Sequence, residues 1–280
     1  MHRSARKASG GFTLIELVMV IVIMGVIGGI VVVFMKNPID AYFSGAQRAA
    51  LTDVADTTMR RIARDLRRAL PNSVRTSGTT CVEFIPTKTG GRYRSEGPGA
   101  LTFGTSITSF NMLGDYANFA GASRPVDQTI AANDLVVVYN LGITGSDAYA
   151  GNNYGVVTSV GTVSGGETPI NMGATTFSLP SASNRFHVVP STEKMVSYVC
   201  SGNSLYRTAS ATLTASASCP ANGAKIATNV DCAATSFTIT DAGNALSRNA
   251  LVSMRLTIGS DSSGAEKVTL QHEVHVDNTP

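Results

Sequence analysis

The chain has 280 residues and a formal net charge of +3, a length sufficient for one sizeable domain and an additional long element. Three of its 22 basic side chains lie in residues 1–11, which contain no acid, so the remainder carries 19 basic and 19 acidic side chains. This balance gives no basis for a nucleic-acid partner, and we expect none.

An apolar run from Phe12 to about Phe34 is the first element of the chain. It contains about 23 residues, or about 34 Å of helix, which is enough to cross a bilayer. A basic leader precedes it, so the leader is expected on the cytoplasmic side and the rest of the chain outside. Glu16 is the only charge in the run, and a carboxylate at membrane depth costs up to about 3 kcal/mol. We therefore expect Glu16 to have a partner.

One interpretation of this segment is an ordinary secretory signal or an uncleaved anchor. The run Gly11-Phe12-Thr13-Leu14-Ile15-Glu16, however, resembles the class III signal of type IV pilins and type II secretion pseudopilins. The resemblance implies that a prepilin peptidase cuts between Gly11 and Phe12 and methylates the new amino group of Phe12. It also implies that Glu16 attracts the free amino terminus of a neighbouring subunit. The helix would then be a membrane anchor first and a filament core element later.

Residues 36–71 predict a second helical segment. Asn37-Pro38 predicts a kink or a short break, and Pro71 predicts the helix end. Apolar side chains at steps of three or four predict one buried face: Phe43, Ala46, Ala50, Leu51, Val54, Ile62, Leu66 and Leu70. The end of this segment is basic, with Arg60, Arg61, Arg64, Arg67 and Arg68. Two interpretations stay open: a solvated face, or a charged contact with neighbouring subunits or anionic headgroups.

Residues 72–280 predict a β-rich exported head. Short runs rich in Val, Ile, Thr, Tyr and Phe are separated by turn residues, and the period-two alternation is clearest in 252–258 and 268–276. Gly259 to Gly264 between them predicts a hairpin loop, and the Gly/Ser-rich stretch 88–133 predicts long loops. The fold class is therefore α+β: a long N-terminal membrane and stalk helix with a C-terminal head of one or two antiparallel sheets. The predicted segments are 1–11, 12–35, 36–71 and 72–280.

Four cysteines, an even number in an exported chain, predict two disulfide bonds. They are Cys81, Cys200, Cys219 and Cys232. Three pairings are open; we favour a bridge within 200–232, with Cys81 bonded into the same region. No pair has C-x-x-C spacing, so we expect no metal site.

The sequence lacks the common catalytic and nucleotide-binding motifs. It contains no G-x-S-x-G, H-E-x-x-H, Walker or G-x-G-x-x-G motif. His272 falls on the apolar side of its predicted strand and is expected in the core, whereas His275 faces the other way. Asp261-Ser262-Ser263-Gly264 lacks the acidic ligands of a calcium loop. Asp and Asn in other loops could hold a calcium ion, but turn chemistry explains them as well, and both interpretations stay open. We therefore expect no enzyme activity and no cofactor.

Two further stretches narrow the resemblance. Residues 60–75 and 268–280 are similar to segments of minor pilins of the mannose-sensitive haemagglutinin (MSHA) biogenesis system, and 60–75 also resembles J-type minor pseudopilins of type II secretion. The resemblance implies a low-copy structural subunit whose partners are the prepilin peptidase, other pilin or pseudopilin subunits, an inner-membrane assembly platform and, before assembly, the lipid bilayer. The subunit is expected in the inner membrane as a single-pass protein and then in a pilus or pseudopilus. The alternative from another class is a membrane-anchored adhesin or ligand-binding β-domain.

Overall fold

The computed structural model describes residues 11–119, 122–240, 249–261 and 266–279. Most of the predicted leader and residues 262–264 of the predicted hairpin loop lie outside the described residues. Contacts between Cα atoms divide the chain into two units, one up to Ala50 and one from Leu51.

The helix α1 runs from Leu14 to Leu66, a length of 53 residues. The helix is continuous across Pro38, so of the kink or short break predicted at Asn37-Pro38 the break is absent. Pro38 lacks an N–H group, so one backbone hydrogen bond of the helix is lost. The residues before and after it remain helical.

α1 ends five residues before the predicted stop at Pro71. The Arg68 and Ala69 amides donate to Asp65 and Leu66, which tightens the last turn. The Leu70 amide then donates to the Ile85 carbonyl at 2.7 Å. Backbone pairing with the segment after the second strand therefore ends the helix before the proline is reached.

The second unit begins with the last turns of α1, which pack one stripe of side chains into its core. The stripe consists of Ala55, Met59, Ile62, Ala63 and Leu66. Ile62 and Leu66 were predicted to be buried there, but Val54 is 45% exposed and Phe43 of the first unit is 60% exposed. The buried side chains thus recur at helical spacing, but Ala55, Met59 and Ala63 are buried where the sequence predicted Val54 and Phe43.

The part of the chain that the structure describes contains sixteen strands. They are β1 Arg75–Thr76, β2 Cys81–Phe84, β3 Thr89–Tyr93, β4 Ser106–Leu113, β5 Asn118–Phe119, β6 Ala122–Ser123, β7 Leu135–Val137, β8 Tyr154–Val160, β9 Glu167–Thr176, β10 Arg185–Val189, β11 Met195–Ser201, β12 Ser204–Ser210, β13 Ala224–Thr228, β14 Ser236–Thr240, β15 Asn249–Gly259 and β16 Lys267–Asp277. A short 3-10 helix, Val126–Gln128, lies between β6 and β7.

The strands form antiparallel sheets, which confirms the predicted α+β class. One sheet has the order β1-β2-β11-β12-β13 and another β14-β15-β16, and side chains from both join the α1 stripe in a single core. In β16, Val274 and Val276 are buried and alternate with exposed Glu273 and His275, which confirms the predicted period. His272 lies on the inner side as predicted but is only half-buried.

The third assembly is a closed six-stranded barrel in the order β10-β3-β4-β9-β8-β7. It is formed by residues between β2 and β11, two neighbouring strands in which Phe84 is paired with Val196. The stretch 88–133 contains long loops as predicted, for example residues 94–105, but it also contains β3 and β4, which form walls of the barrel and were not predicted. The prediction of one or two sheets did not include this barrel, whose interior has its own core around Phe110, Phe186 and Ile170.

His187 makes the stability of the second unit dependent on pH. It lies on β10 opposite Gly90 and Val137, and its Nε2 is buried without a hydrogen-bond partner among the described residues. Burial, and then the charge of Arg185, lower the pKa of His187, while Asp277 opposes them. The unfolded chain therefore takes up this proton first, so stability is complete above about pH 6.5 and is lost as pH falls through the folded-state pKa.

We expect His187→Gln to reduce the fall in unfolding free energy between pH 7.5 and pH 5. The measurement is urea unfolding at a series of pH values. His275→Gln, at an exposed position on β16, is the matched control and should leave the pH dependence as in the original chain. Equal slopes for the His187→Gln variant and the original chain would contradict the assignment.

Candidate functional site

The N-terminal site begins at the first described residues, Gly11 and Phe12, which precede the start of α1 at Leu14. Thr13 occupies the position before the helix, and Glu16 is in its first turn. The Thr13 amide donates to Glu16 Oε2 at 2.9 Å, and the Thr13 hydroxyl donates to the same oxygen at 2.8 Å. The Glu16 amide donates in return to Thr13 Oγ1 at 3.4 Å.

This reciprocal pair is a capping box, in which the side chains of the first and fourth residues satisfy each other's backbone amides. The first amides of a helix have no intrahelical acceptor, and in a membrane they have no water either. The Glu16 carboxylate therefore has a local partner in its own chain. Sequence analysis did not assign a role to Thr13, although the T-x-x-E spacing before an apolar run was a sufficient signal.

The apolar side chains after this box are exposed in the single chain. Phe12 is 86% exposed, and the apolar side chains between Leu14 and Met35 are also exposed. Among the described residues, α1 is the one helix that is long and apolar enough to span a membrane. Added Cβ atoms at Gly25, Gly28 and Gly29 would meet nothing within 4 Å. This surface is therefore available to lipid or to another helix.

Residues 6–32 match the family model described as "Prokaryotic N-terminal methylation motif". The match supports the type IV pilin-like and pseudopilin family and a subunit that is processed by prepilin peptidase. Together with the single long apolar helix, it suggests a membrane-anchored, single-pass protein. No curated protein and no solved structure gave a match.

The four cysteines form two disulfide bonds, as the sequence predicted. Cys81 on β2 is bonded to Cys219 across 138 residues, and Cys200 on β11 is bonded to Cys232 across 32 residues. The first bond holds the loop between β12 and β13 against the five-stranded sheet. The second lies beside the main core, where Cys200 is buried.

A polar cluster fixes the last turn of α1 on the sheet. Arg207 on β12 donates through Nε to Asp65 Oδ2 at 2.9 Å and through Nη1 and Nη2 to Glu193. The Tyr198 hydroxyl donates to the same Asp65 oxygen at 2.7 Å. Burial, and then the Asp65 carboxylate, raise the pKa of Tyr198, so its hydroxyl stays a donor at neutral pH.

A second cluster surrounds the fully buried Glu83 on β2. Arg75 donates through Nε to Glu83 Oε1 at 2.8 Å and through its other nitrogens to the carbonyls of Thr214 and Ala215. The Arg75 Cζ lies 3.5 Å from the centre of the Tyr149 ring. A single guanidinium thus neutralises a buried acid and joins three segments of the second unit.

We expect Arg75→Met to lower the unfolding free energy by about 3 kcal/mol, because it leaves the Glu83 carboxylate buried without a counter-charge. Denaturant unfolding of the oxidised chain measures the change. The double variant Arg75→Met, Glu83→Leu removes both charges and should regain a large part of the loss. A single variant as stable as the original chain would show that Arg75 does not carry this role.

The two clusters contain no feature that assigns a reaction. Among the described residues, no three His, Cys, Asp or Glu side chains converge as a metal site would require. The matched residues 6–32 contain Gly11, the capping box of Thr13 and Glu16, and the first part of the exposed apolar helix.

Proposed function

We propose that this chain is a minor pilin-like structural subunit, with no enzyme activity, of a type IV pilus of the MSHA kind. The observation that carries the proposal is Glu16, whose carboxylate lies at the start of the exposed apolar helix inside the methylation motif. The prepilin peptidase cleaves between Gly11 and Phe12 and methylates the amino group of Phe12. The subunit waits in the inner membrane and then enters the filament through an assembly platform.

The chemistry of the transfer follows from charge. Cleavage leaves an ammonium group on Phe12, next to Thr13 and one turn before Glu16. Within lipid, an ammonium and a carboxylate are each costly, and a pair formed between two subunits neutralises both. In the single chain the capping box holds the carboxylate ready, and in the filament Glu16 accepts the amino terminus of its neighbour.

The first test is N-terminal sequencing and intact mass of the protein from its native membrane. The proposal expects a chain that begins at N-methylated Phe12. A chain that begins at Met1, or beyond about residue 30, would overturn it and favour an anchored adhesin or ligand-binding domain instead.

The second candidate is a minor pseudopilin of a type II secretion system. Its support is the resemblance of residues 60–75 to J-type pseudopilins, a stretch that also resembles MSHA minor pilins. Deletion of the gene distinguishes the two systems: loss of surface pili supports the pilus, and loss of enzyme secretion with normal pili supports the pseudopilus.

A further inference from the structure

The two disulfide bonds of the second unit are interleaved along the chain. Cys81 is bonded to Cys219, and Cys200, which lies between them in sequence, is bonded to Cys232. All four cysteines lie in the described part of the chain, and no bond there joins two cysteines that are consecutive in sequence.

The five-stranded sheet holds the two bonds on opposite faces. Along β2, Val82 and Phe84 belong to the main core, and Cys81 precedes them on the same strand. Successive side chains of a strand point to opposite faces, so Cys81 points away from this core. Cys81 is paired with Val199, and Cys200, the next residue of β11, belongs to the core. Cys81 therefore reaches the loop between β12 and β13, and Cys200 does not.

A bond between Cys81 and Cys200 is incompatible with this sheet. The Cys200 amide donates to the Thr80 carbonyl at 2.9 Å, so the two cysteines are close in the backbone although their side chains point to opposite faces. To bring both sulfur atoms to one face, β2 or β11 would have to shift by one residue. Such a shift moves every buried side chain of that strand from the core to the other face.

The unfolded chain nevertheless favours consecutive pairing. Cys219 and Cys232 are 13 residues apart, whereas the native partners Cys200 and Cys232 are 32 apart. Because the entropic cost of closing a loop rises with its length, consecutive pairing of all four cysteines should exceed native pairing about fivefold. Export from the N-terminus adds to this preference, because Cys81 and Cys200 emerge before Cys219.

We propose that this chain is a substrate of a thiol–disulfide isomerase in the compartment that receives its second unit. The isomerase converts the consecutive bonds into the interleaved bonds of the folded chain. The inference rests on the proposed function for one point, the export of the second unit. The partner is defined by its chemistry: a protein with a reactive thiolate that attacks a non-native disulfide and is regenerated at the end.

The exchange balances in sulfur atoms and electrons. Two equivalents of a protein disulfide, the oxidant of the compartment, first form the consecutive bonds and are reduced to dithiols. The isomerase thiolate attacks the Cys232 sulfur, and Cys219 leaves as a thiolate. The Cys219 thiolate attacks the Cys81 sulfur, which forms one native bond and releases the Cys200 thiolate. The Cys200 thiolate attacks the mixed disulfide at Cys232, which forms the other native bond and regenerates the isomerase thiolate.

The test follows the newly made full-length chain in its native host, in strains with and without the disulfide isomerase of the export compartment. Free thiols are blocked with N-ethylmaleimide at lysis, and peptide mass mapping gives the pairing. Without the isomerase, the fraction of chains with both native bonds should fall at least about fivefold, and the Cys81–Cys200 bond should appear. An isomerase that lacks its second active-site cysteine should be trapped on the chain as a mixed disulfide.

The matched controls are the double variants Cys200→Ala, Cys232→Ala and Cys81→Ala, Cys219→Ala. Each retains a single possible bond and should form it equally in both strains. Pairing is read on newly made chains, so a variant of lower stability still gives a result.

Three results would overturn the proposal: native pairing at the same level in both strains, equal dependence of the two-cysteine variants on the isomerase, or four free thiols in the chain from the original strain. N-terminal sequencing of the same samples separates the two proposals. A chain that begins at N-methylated Phe12 and pairs natively without the isomerase leaves the proposed function standing and removes this inference.

Discussion

Replacing Glu16 with alanine should leave cleavage after Gly11 intact and lower incorporation of the subunit into filaments at least about tenfold. In the proposed function the peptidase cuts before the helix, whereas the carboxylate acts later, when two costly charges in lipid are brought together. A loss of about 1.4 kcal/mol is sufficient for a tenfold effect. The measurement is the fraction of tagged subunit in sheared filaments, together with the N-terminal sequence of the membrane fraction.

Two matched variants separate the charge of Glu16 from its capping role. Glu16→Gln retains a side chain that caps the Thr13 amide but carries no charge, so it should assemble as poorly as the alanine variant. Thr13→Val removes the hydroxyl contacts and retains the carboxylate, and it should assemble better than either. If the Glu16→Ala variant is incorporated normally and filament number is normal, Glu16 has no role in assembly.

Removing the bond between Cys81 and Cys219 should have the largest effect on the stability of the second unit. A bond that closes a loop of 138 residues restricts the unfolded chain by about 5 kcal/mol. The double variant Cys81→Ala, Cys219→Ala should therefore unfold at a clearly lower denaturant concentration. Its control is Cys200→Ala, Cys232→Ala, which opens a loop of 32 residues and should cost about 4 kcal/mol from this effect.

Each bond joins one buried cysteine, Cys81 or Cys200, to a half-buried one, so the loss of buried contacts is similar and the two variants differ mainly in loop length. The comparison is made by guanidinium unfolding of chains whose mass confirms the remaining disulfide. If the Cys81, Cys219 variant is as stable as the original chain, the large loop is already restrained in the unfolded state and the entropic account is wrong.

The parts of the fold that the sequence predicted are those with an undisturbed period. The apolar run before Met35 and the alternation in β15 and β16 gave a helix and a hairpin because each continues over many residues. The two disulfide bonds followed from an even cysteine count in an exported chain. The break at Pro38 did not occur, because one missing donor is a small part of a long helix.

The closure of these strands into a barrel was not predicted, because the pairing between them is irregular. The pairing of β4 with β9 shifts between Ile107 and Ser109, and that of β8 with β9 shifts between Val157 and Ser159. Each shift moves the following side chains to the other surface of the strand.

The glycines of β3 gave the second misleading signal, because glycine is typical of loops. A Cβ on Gly91 would lie 3.0 Å from the Phe186 ring and 3.3 Å from the Met112 sulfur. The position is thus occupied by glycine because large core side chains cover it, and not because the chain turns there.

The N-terminal site was predicted by position but not by geometry. The sequence identified Gly11, Phe12 and Glu16 as the residues of interest, and Glu16 was expected to need a partner. The structure shows that Thr13 is the partner of Glu16 within the same chain. Because α1 starts at Leu14, Thr13 lies just before the helix and its hydroxyl reaches the Glu16 carboxylate in the first turn.

The barrel is inserted in the chain between β2 and β11, two neighbouring strands of the five-stranded sheet. The chain leaves β2 after Phe84 and returns in β11 next to it, so the whole barrel replaces what would be the turn of a hairpin. Lengthening a connection costs only about 0.6 kcal/mol for each doubling of its length. The pairing of β2 with β11 therefore does not depend on how long the intervening segment is. Evolution can lengthen or shorten the barrel loops as long as Ile85, Tyr149 and Glu193 keep their contacts with the rest of the second unit.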